Sequence, residues 1–458
     1  MVRLSGNDST FGAGRTSGAG RAMEIAEMAL AMSQADQTEV HCIEKESFLT
    51  RFANSEIHQN MAESAVLVTV RAVVGKRIGI ASTSRFDEDS LQSVVSRAFE
   101  IAKRQPENPQ FVSLPGPEAH DSSVETFFPE TANFGPEDRA LAVDAIIKRV
   151  RKAGLLGFGS FSTAVYDIAT VNSLGVAAGE RSTLASFVTV VMGEDGTGYA
   201  ARTSRNVAAL DLEDAGREAV ERCLASRGSV AIEPGEYTVI LDTYAVADMI
   251  DMLSYMGFGA LAYQEGRSFM SGALGKRIAG ENISIWDDGL AEEGIPVEFD
   301  YEGVPKERVE LITNGIARGV VYDSYTAGIE GKKSTGHATS PSFANGPYAT
   351  NLFMAPGQSD LDEMINSTDY GILVTRFHYT NPVHPIKTLF TGMTRDGTFL
   401  IDGGKISKPL KNLRFTQGIL EALSNVEMIS KERRVHEGVA CVPALKIKGF
   451  NFTGVTEY

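Results

Sequence analysis

Apolar and polar positions divide the chain into two regimes, and the change falls near Pro234. Before it, helical spacing alternates with β-branched runs. Residues 22–34 carry apolar side chains at helical spacing and predict an amphipathic helix. Residues 39–51 alternate weakly and predict a strand, 52–60 a polar turn, and 64–74 a β-branched strand. Gly75 and Lys76 open a hairpin into 77–82. Residues 86–104 predict a helix, with Asp87 and Asp89 near its start, Lys103 and Arg104 near its end, and Pro106 stopping it. A proline-rich connection, 106–136, leads into a second unit of the same kind. There a helix over 136–153 is closed by Gly154, and two strands about a turn are expected over 158–172. A strand over 183–192, a glycine loop over 193–198 and a helix over 212–224 follow. No residue-level repeat accompanies this similarity of order.

After Pro234 short strands separated by Gly and Asp turns take over, at 283–286, 296–299, 319–323, 371–375, 398–401 and 444–447. Helices are expected only near 243–256, 359–367 and 417–423. The fold class is therefore α+β: an N-terminal α/β part of two related layers, followed by a C-terminal β-rich domain with few helices. The expected boundaries are a flexible tail over 1–21, an N-terminal domain over 22–230 and a C-terminal domain over 231–458. The N-terminal domain contains sub-units at about 22–105 and 136–230.

Composition narrows the function classes. The 458 residues carry a net charge of −16 with no long Lys/Arg cluster, which argues against nucleic-acid or anionic-membrane binding. No apolar run approaches the roughly 18 residues a membrane span needs. The N-terminal stretch lacks the apolar core of a secretory signal. Three scattered cysteines, Cys42, Cys223 and Cys441, fit reduced thiols, so a cytoplasmic location is expected.

The stretch 243–277, a helix running into a glycine loop after a short strand, is where an enzyme of this layout would place ligands. It contains no His and no Cys. Elsewhere, no HExxH and no pair of histidines four apart on a helix is present. The densest polar cluster is a predicted loop containing Arg376, His378, Tyr379, Asn381 and His384. Arg376 would be a carboxylate clamp and His378 a hydrogen-bond donor or acid/base. A metal set would join His378 and His384 to His436 or Cys441; solvated or structural histidines are the alternative. The Gly193-x-x-Gly-x-Gly198 run lacks the Lys-Ser/Thr and the helix start of a phosphate loop and reads as a hairpin turn. Residues 332–337 form a polar glycine loop able to meet a carboxylate or phosphate, or simply a solvated turn. Ser254 has no His or Lys near it in sequence, and Cys223 and Cys441 read as core thiols.

Several stretches together resemble one family. Arg51-Phe-Ala-Asn-Ser-Glu-Ile-His-Gln-Asn60 with the following hairpin is similar to the first domain of TldD/PmbA-type proteins. Asn172-Ser-Leu-Gly175 and the loop over 193–202 are similar to the second. Gly315-Ile-Ala-Arg-Gly-Val-Val-Tyr-Asp323, Ser334-Thr-Gly336, Gly371-Ile-Leu-Val-Thr375 and Pro443-Ala-Leu445 are similar to the third. The resemblance implies a two-subunit protease acting on unfolded or precursor peptides. One subunit carries a zinc motif, His-Glu-x-x-x-His with a later Cys, and its PmbA/TldE-like sister lacks it. Aligned on Tyr255-Met-Gly257-Phe258-Gly259, the family's His, Glu and His fall on Leu253, Ser254 and Phe258. Leu and Phe side chains neither bind Zn²⁺ nor activate its water.

The resemblance thus implies a metal-free subunit, with no cofactor on this chain, zinc in a TldD-like partner, and a peptide substrate that meets the Arg376–His384 segment. Two alternatives stand beside it. One is a homodimeric peptide-binding or scaffold protein without catalysis; the other is an independent hydrolase using that segment.

Overall fold

The computed structural model describes residues 20–119, 124–341, 345–436 and 440–455. Positions 1–19 of the expected tail lie outside the described residues, and Arg21 already opens a helix. The N-terminal part runs α1 (Arg21–Ala31), β1 (Gln37–Ala53), β2 (Glu56–Val74), β3 (Arg77–Thr83), α2 (Glu88–Arg104), α3 (Pro129–Ala132), α4 (Pro136–Lys152), β4 (Leu156–Asn172), β5 (Ala177–Met192), β6 (Thr197–Ser204) and α5 (Leu212–Ala225). Its two units lie side by side in one antiparallel sheet, ordered β3-β2-β1-β4-β5-β6. Each half keeps its own core. Helices α1 and α2 bury Ile25, Ala29, Leu91 and Val95 on Val40, Val68 and Val70. Helices α4 and α5 bury Val143, Ile147 and Ala219 on Phe161, Phe187 and Val191.

Two local expectations are corrected here. The polar run 52–60 is not an open turn: the chain reverses at Asn54 and Ser55 alone, and Ala53 pairs with Glu56. Both turn residues have positive φ, 51° and 60°, the conformation that matches strand twist in a two-residue hairpin. Ser55 is pinned to Gly157, its N–H donating to the carbonyl and its Oγ accepting the Gly157 N–H, both at 2.8 Å. The two strands expected over 158–172 are one 17-residue strand, β4, whose pairing with β5 runs through Gly157 and Gly159 without a shift.

The C-terminal part continues with β7 (Gly235–Leu241), α6 (Thr243–Leu253), a wider π-type turn (Ser254–Phe258), α7 (Ala260–Gln264), β8 (Ile285–Asp287), β9 (Val309–Thr313), β10 (Ile316–Ala317), α8 (Ser324–Glu330), β11 (Leu352–Met354), α9 (Leu361–Asn366), β12 (Tyr370–His384), β13 (Leu389–Asp402), β14 (Lys405–Pro409), β15 (Leu413–Gly418), α10 (Ile419–Ser424), β16 (Val426–His436) and β17 (Ala440–Val455). The expected strands at 296–299 and 319–323 form only isolated bridges.

Strand β7 pairs in parallel with β12 and antiparallel with β17, so β7, β12, β13, β15 and β17 close on themselves. Closure removes edges and creates an interior that side chains must fill. Phe377, Phe390, Phe415, Phe450 and Phe452 fill it, with ring centroids 4.4–5.9 Å apart. The closure is incomplete in one place. β7 pairs with β12 only from Gly371 to Val374, then ends at Leu241 as Asp242 caps α6. Beyond Val374, β12 pairs only with β13 among the described residues, and none of them adds a strand to its other edge. Helix α6 packs across β12 and β17 at that point.

Candidate functional site

Helix α6 buries most of its surface: Ala245, Val246, Met249, Ile250 and Leu253 are inaccessible. Its remaining face is Asp248, Asp251, Met252 and Tyr255, spaced as one side of a helix. Asp248 and Asp251 are half-buried and Tyr255 is exposed. The Tyr348 hydroxyl donates to Asp251 Oδ1 at 2.9 Å. Burial pushes the Asp248 carboxyl up to about 7; the Arg376 charge opposes this and Asp251 adds to it. Burial also lifts Asp251.

Arg376, at the start of the free edge of β12, faces this helix. Its Nε donates to Asp396 Oδ2 at 2.6 Å, its Nη2 lies 2.5 Å from the same oxygen in an ion pair, and its guanidinium lies 4.1 Å over the Tyr199 ring of β6. Asp396 reaches that position because β13 turns left-handed there, with φ of 55° at Asp396 and 127° at Gly397. Tyr199 is edge-on to Tyr244 at 5.3 Å, and burial pushes its hydroxyl up to about 12. The site thus joins the second half of the N-terminal sheet to the C-terminal barrel.

The expectation that 376–384 forms a loop is corrected: these residues are the second half of β12, where Pro382 sits beside an irregularity in the pairing with β13, and Pro385 opens the 3₁₀ turn that follows the strand. The five predicted site residues are therefore strung along one strand. Arg376 is committed to Asp396 through its Nε hydrogen bond and the ion pair. His378 is half-buried against Tyr379, with centroids 4.3 Å apart. Burial, with the Arg395 and Arg376 charges, lowers its affinity for a proton and leaves the ring neutral at pH 7. Tyr379 is 72% exposed at φ 52°, on a bulge whose carbonyl accepts from Asn381 Nδ2 at 2.9 Å. His384 sits at the exposed hairpin tip, where Nδ1 accepts from Lys387 N at 3.4 Å. That tip, Pro385–Lys387, rests against the Ser254–Phe258 turn.

The metal set considered from sequence is not assembled. His436 is partly buried edge-on to Tyr244, at 4.6 Å, and Cys441 is buried in β17. Among the described residues no group of three His, Cys, Asp or Glu side chains is placed to hold a metal ion. Leu253, Ser254 and Phe258, which the resemblance would put at the zinc-motif positions, offer no set of donors for the ion. Leu253 and Phe258 are fully buried in the apolar core, Phe258 edge-on to Phe269 at 5.4 Å. Ser254 Oγ donates to the Ala349 carbonyl at 2.9 Å.

Other candidates resolve into structure. Gly193 N donates to Gly196 O at 2.7 Å within a hairpin turn, and a Cβ on Gly198 would stand 2.0 Å from the Ala219 carbonyl oxygen. That glycine serves the close approach of β6 to α5. Lys332 is held by Tyr322 and Glu330 at 2.7 and 2.6 Å, and His337 is buried against Asp287 at 2.9 Å. Sequence reasoning missed Asp248, Asp251, Tyr199, Tyr348 and Asp396. The first two were legible as the polar complement of the α6 apolar stripe; the others come from distant segments.

Three family models match the chain: PmbA/TldA metallopeptidase domain 1 at residues 39–102, the central domain at 135–227 and the C-terminal domain at 234–454. An uncharacterized protein of Methanocaldococcus jannaschii is 26% identical over 83% of this chain and 88% of its own length. A metalloprotease TldD homolog of Buchnera aphidicola is 30% identical over 49% of this chain and 46% of its own length, so that match spans about half of either protein. The crystal structure of TldE from Thermococcus kodakarensis superposes with a TM-score of 0.85 at 22% identity. The superposition covers 94% of this chain and all of that one and shows the same fold.

Proposed function

The chain belongs to the PmbA/TldA metallopeptidase family, and on that premise we propose that it is a metal-free subunit of a TldD/TldE-like peptidase. The zinc site is supplied by a related partner subunit, and the substrate is an unfolded or precursor peptide. The observation that carries this reading is the chemistry at the family's motif positions: two inaccessible hydrocarbon side chains, Leu253 and Phe258, and a serine hydroxyl spent on a backbone carbonyl. This chain therefore contributes binding rather than activation of water.

Its own residues suit an extended peptide. The edge of β12 beyond Val374, which no strand pairs among the described residues, could take a short added strand between its bulges. His378 and Tyr379 stand beside that edge, and the acidic face of α6 lies across from it. Arg376, locked on Asp396, is a fixed positive wall rather than a mobile clamp.

Metal analysis tests the reading. The purified chain, exposed to zinc and freed of excess metal, is expected to retain far less than one zinc per chain by elemental analysis. Stoichiometric zinc that is lost in His378→Ala would overturn the proposal in favour of an independent hydrolase.

A further inference from the structure

The first half of the N-terminal sheet meets the C-terminal part at a buried ionic junction that the candidate site does not use. Arg71 on β2 donates through Nη2 to Glu39 Oε2 on β1 at 2.6 Å and to Glu302 Oε1, between β8 and β9, at 2.8 Å. Glu302 Oε2 accepts the Ser324 N–H at 2.9 Å. Asp300 lies behind them, accepting the backbone N–H groups of Glu302, Val304 and Ala338 at 2.9, 3.0 and 2.7 Å. Asp323 caps α8 through Thr326 N at 2.7 Å.

His41, two residues from Glu39 and so on the same sheet face, bonds Thr170 at 2.7 Å and stacks on Tyr301 at 4.2 Å. Lys306 is buried on the far side, its charge near both Asp287 and Asp300, with His337 bonded to Asp287. Four carboxylates, Glu39, Asp300, Glu302 and Asp323, thus share two cations, and Asp287 claims part of one of them. Glu39, Glu302 and Asp300 are 4%, 4% and 6% exposed. A cavity of about 90 Å³ lies against Glu39, Arg71, Tyr301, Glu302 and Asp323.

Burial pushes the Glu39 carboxyl up to about 7; Arg71 pulls it back and Glu302 adds to the rise. Burial and the Glu302 charge raise Asp300 and Asp323 as well. Burial lowers His41 and His337, so neither imidazole supplies a compensating charge at neutral pH.

We propose that this junction is a pH-sensitive clasp between the N-terminal sheet and the C-terminal part, closed while Glu39 and Asp300 hold protons and loosened when they ionise. A carboxyl raised in the closed state stabilises it fully below its free value, and that stabilisation is lost as pH climbs through the raised value. The clasp is tightest in acid solution and slackens as pH climbs from about 4.5 to about 7, the window between the free and the raised Glu39 values, with the raised Asp300 extending it upward. Protonated Glu39 leaves Arg71 to Glu302. Ionised Glu39 and Asp300 crowd four buried negative charges around Arg71 and Lys306.

Amide hydrogen exchange on the full chain tests this. Protection is read in β2 over 68–74 and in the segment 300–306, after correction for the intrinsic pH dependence of exchange. Between about pH 5.5 and about pH 8.5 it is expected to fall by on the order of 30-fold, the linkage for one carboxyl moving from 4.5 to about 7. The core of α4 (Val143, Ile147 and Val150) serves as the internal control and keeps its protection, and Glu39→Gln makes the fall at the junction clearly smaller. Unchanged protection at the junction, an equal fall in α4, or a full fall in Glu39→Gln would each overturn the proposal. If that variant does not fold, the wild-type contrast between junction and α4 decides.

Discussion

Truncating Phe258 to alanine is expected to lower the unfolding free energy by about 3–5 kcal/mol, measured by urea denaturation of the variant and the parent protein. Phe258 is fully buried, meets Phe269 edge-on at 5.4 Å and follows Gly257, where a Cβ would stand 2.4 Å from Ser268 Oγ. That close approach leaves little room for the neighbours to collapse into the space a removed ring vacates, so the cavity term is added nearly in full. Tyr255, three residues earlier and 46% exposed, provides the contrast. Tyr255→Ala is expected to change stability by no more than about 0.5 kcal/mol. A loss below about 1 kcal/mol at Phe258 would show that the motif position is not part of the packed core.

Arg376→Ala carries the second large effect, a loss of about 3–5 kcal/mol, because it strands the Asp396 carboxylate without its counter-ion. The Asp396 side chain is 1% exposed and the Arg376 side chain 19%, so water replaces the lost donors poorly. The double variant Arg376→Ala/Asp396→Ala is expected to lose less than the sum of the two single changes, since the stranded charge is gone. Chemical denaturation of the four proteins gives the coupling directly. Additive losses would return Arg376 to the role of a free clamp expected from its sequence context.

The elements most readable in the sequence are those in which one rule dominates. Helix α2 shows its apolar stripe, Asp87 cap and terminal Lys103 and Arg104 in linear order, and it spans Glu88–Arg104 as the pattern implies. The stripe of α6 is equally plain. Where two rules compete, the pattern misleads. Asn54 and Ser55 sit in a polar run that reads as a long turn, yet strand pairing continues to within two residues because both adopt positive φ. Around the end of β12, Pro382, Pro385 and the histidines suggest a loop, but Pro382 sits where the pairing with β13 is irregular and Pro385 lies just past the strand. The site is less legible than the fold. Arg376 and His378 stand out by type. Their meaning depends on Asp396, Tyr199 and Asp248, which are brought together by barrel closure and by packing between the two halves of the chain. No local period encodes those contacts.

The central claim, that this chain completes a peptidase whose metal lies elsewhere, is tested most directly by mixing. The purified chain, a purified family member carrying the His-Glu-x-x-x-His motif, and an equimolar mixture are each assayed on an unfolded peptide with zinc present. The account predicts no cleavage by this chain alone and cleavage by the mixture well above that of the motif-bearing protein alone. A motif-bearing partner that forms a complex with this chain yet gains nothing from it would contradict the account, as would zinc-dependent cleavage by this chain alone.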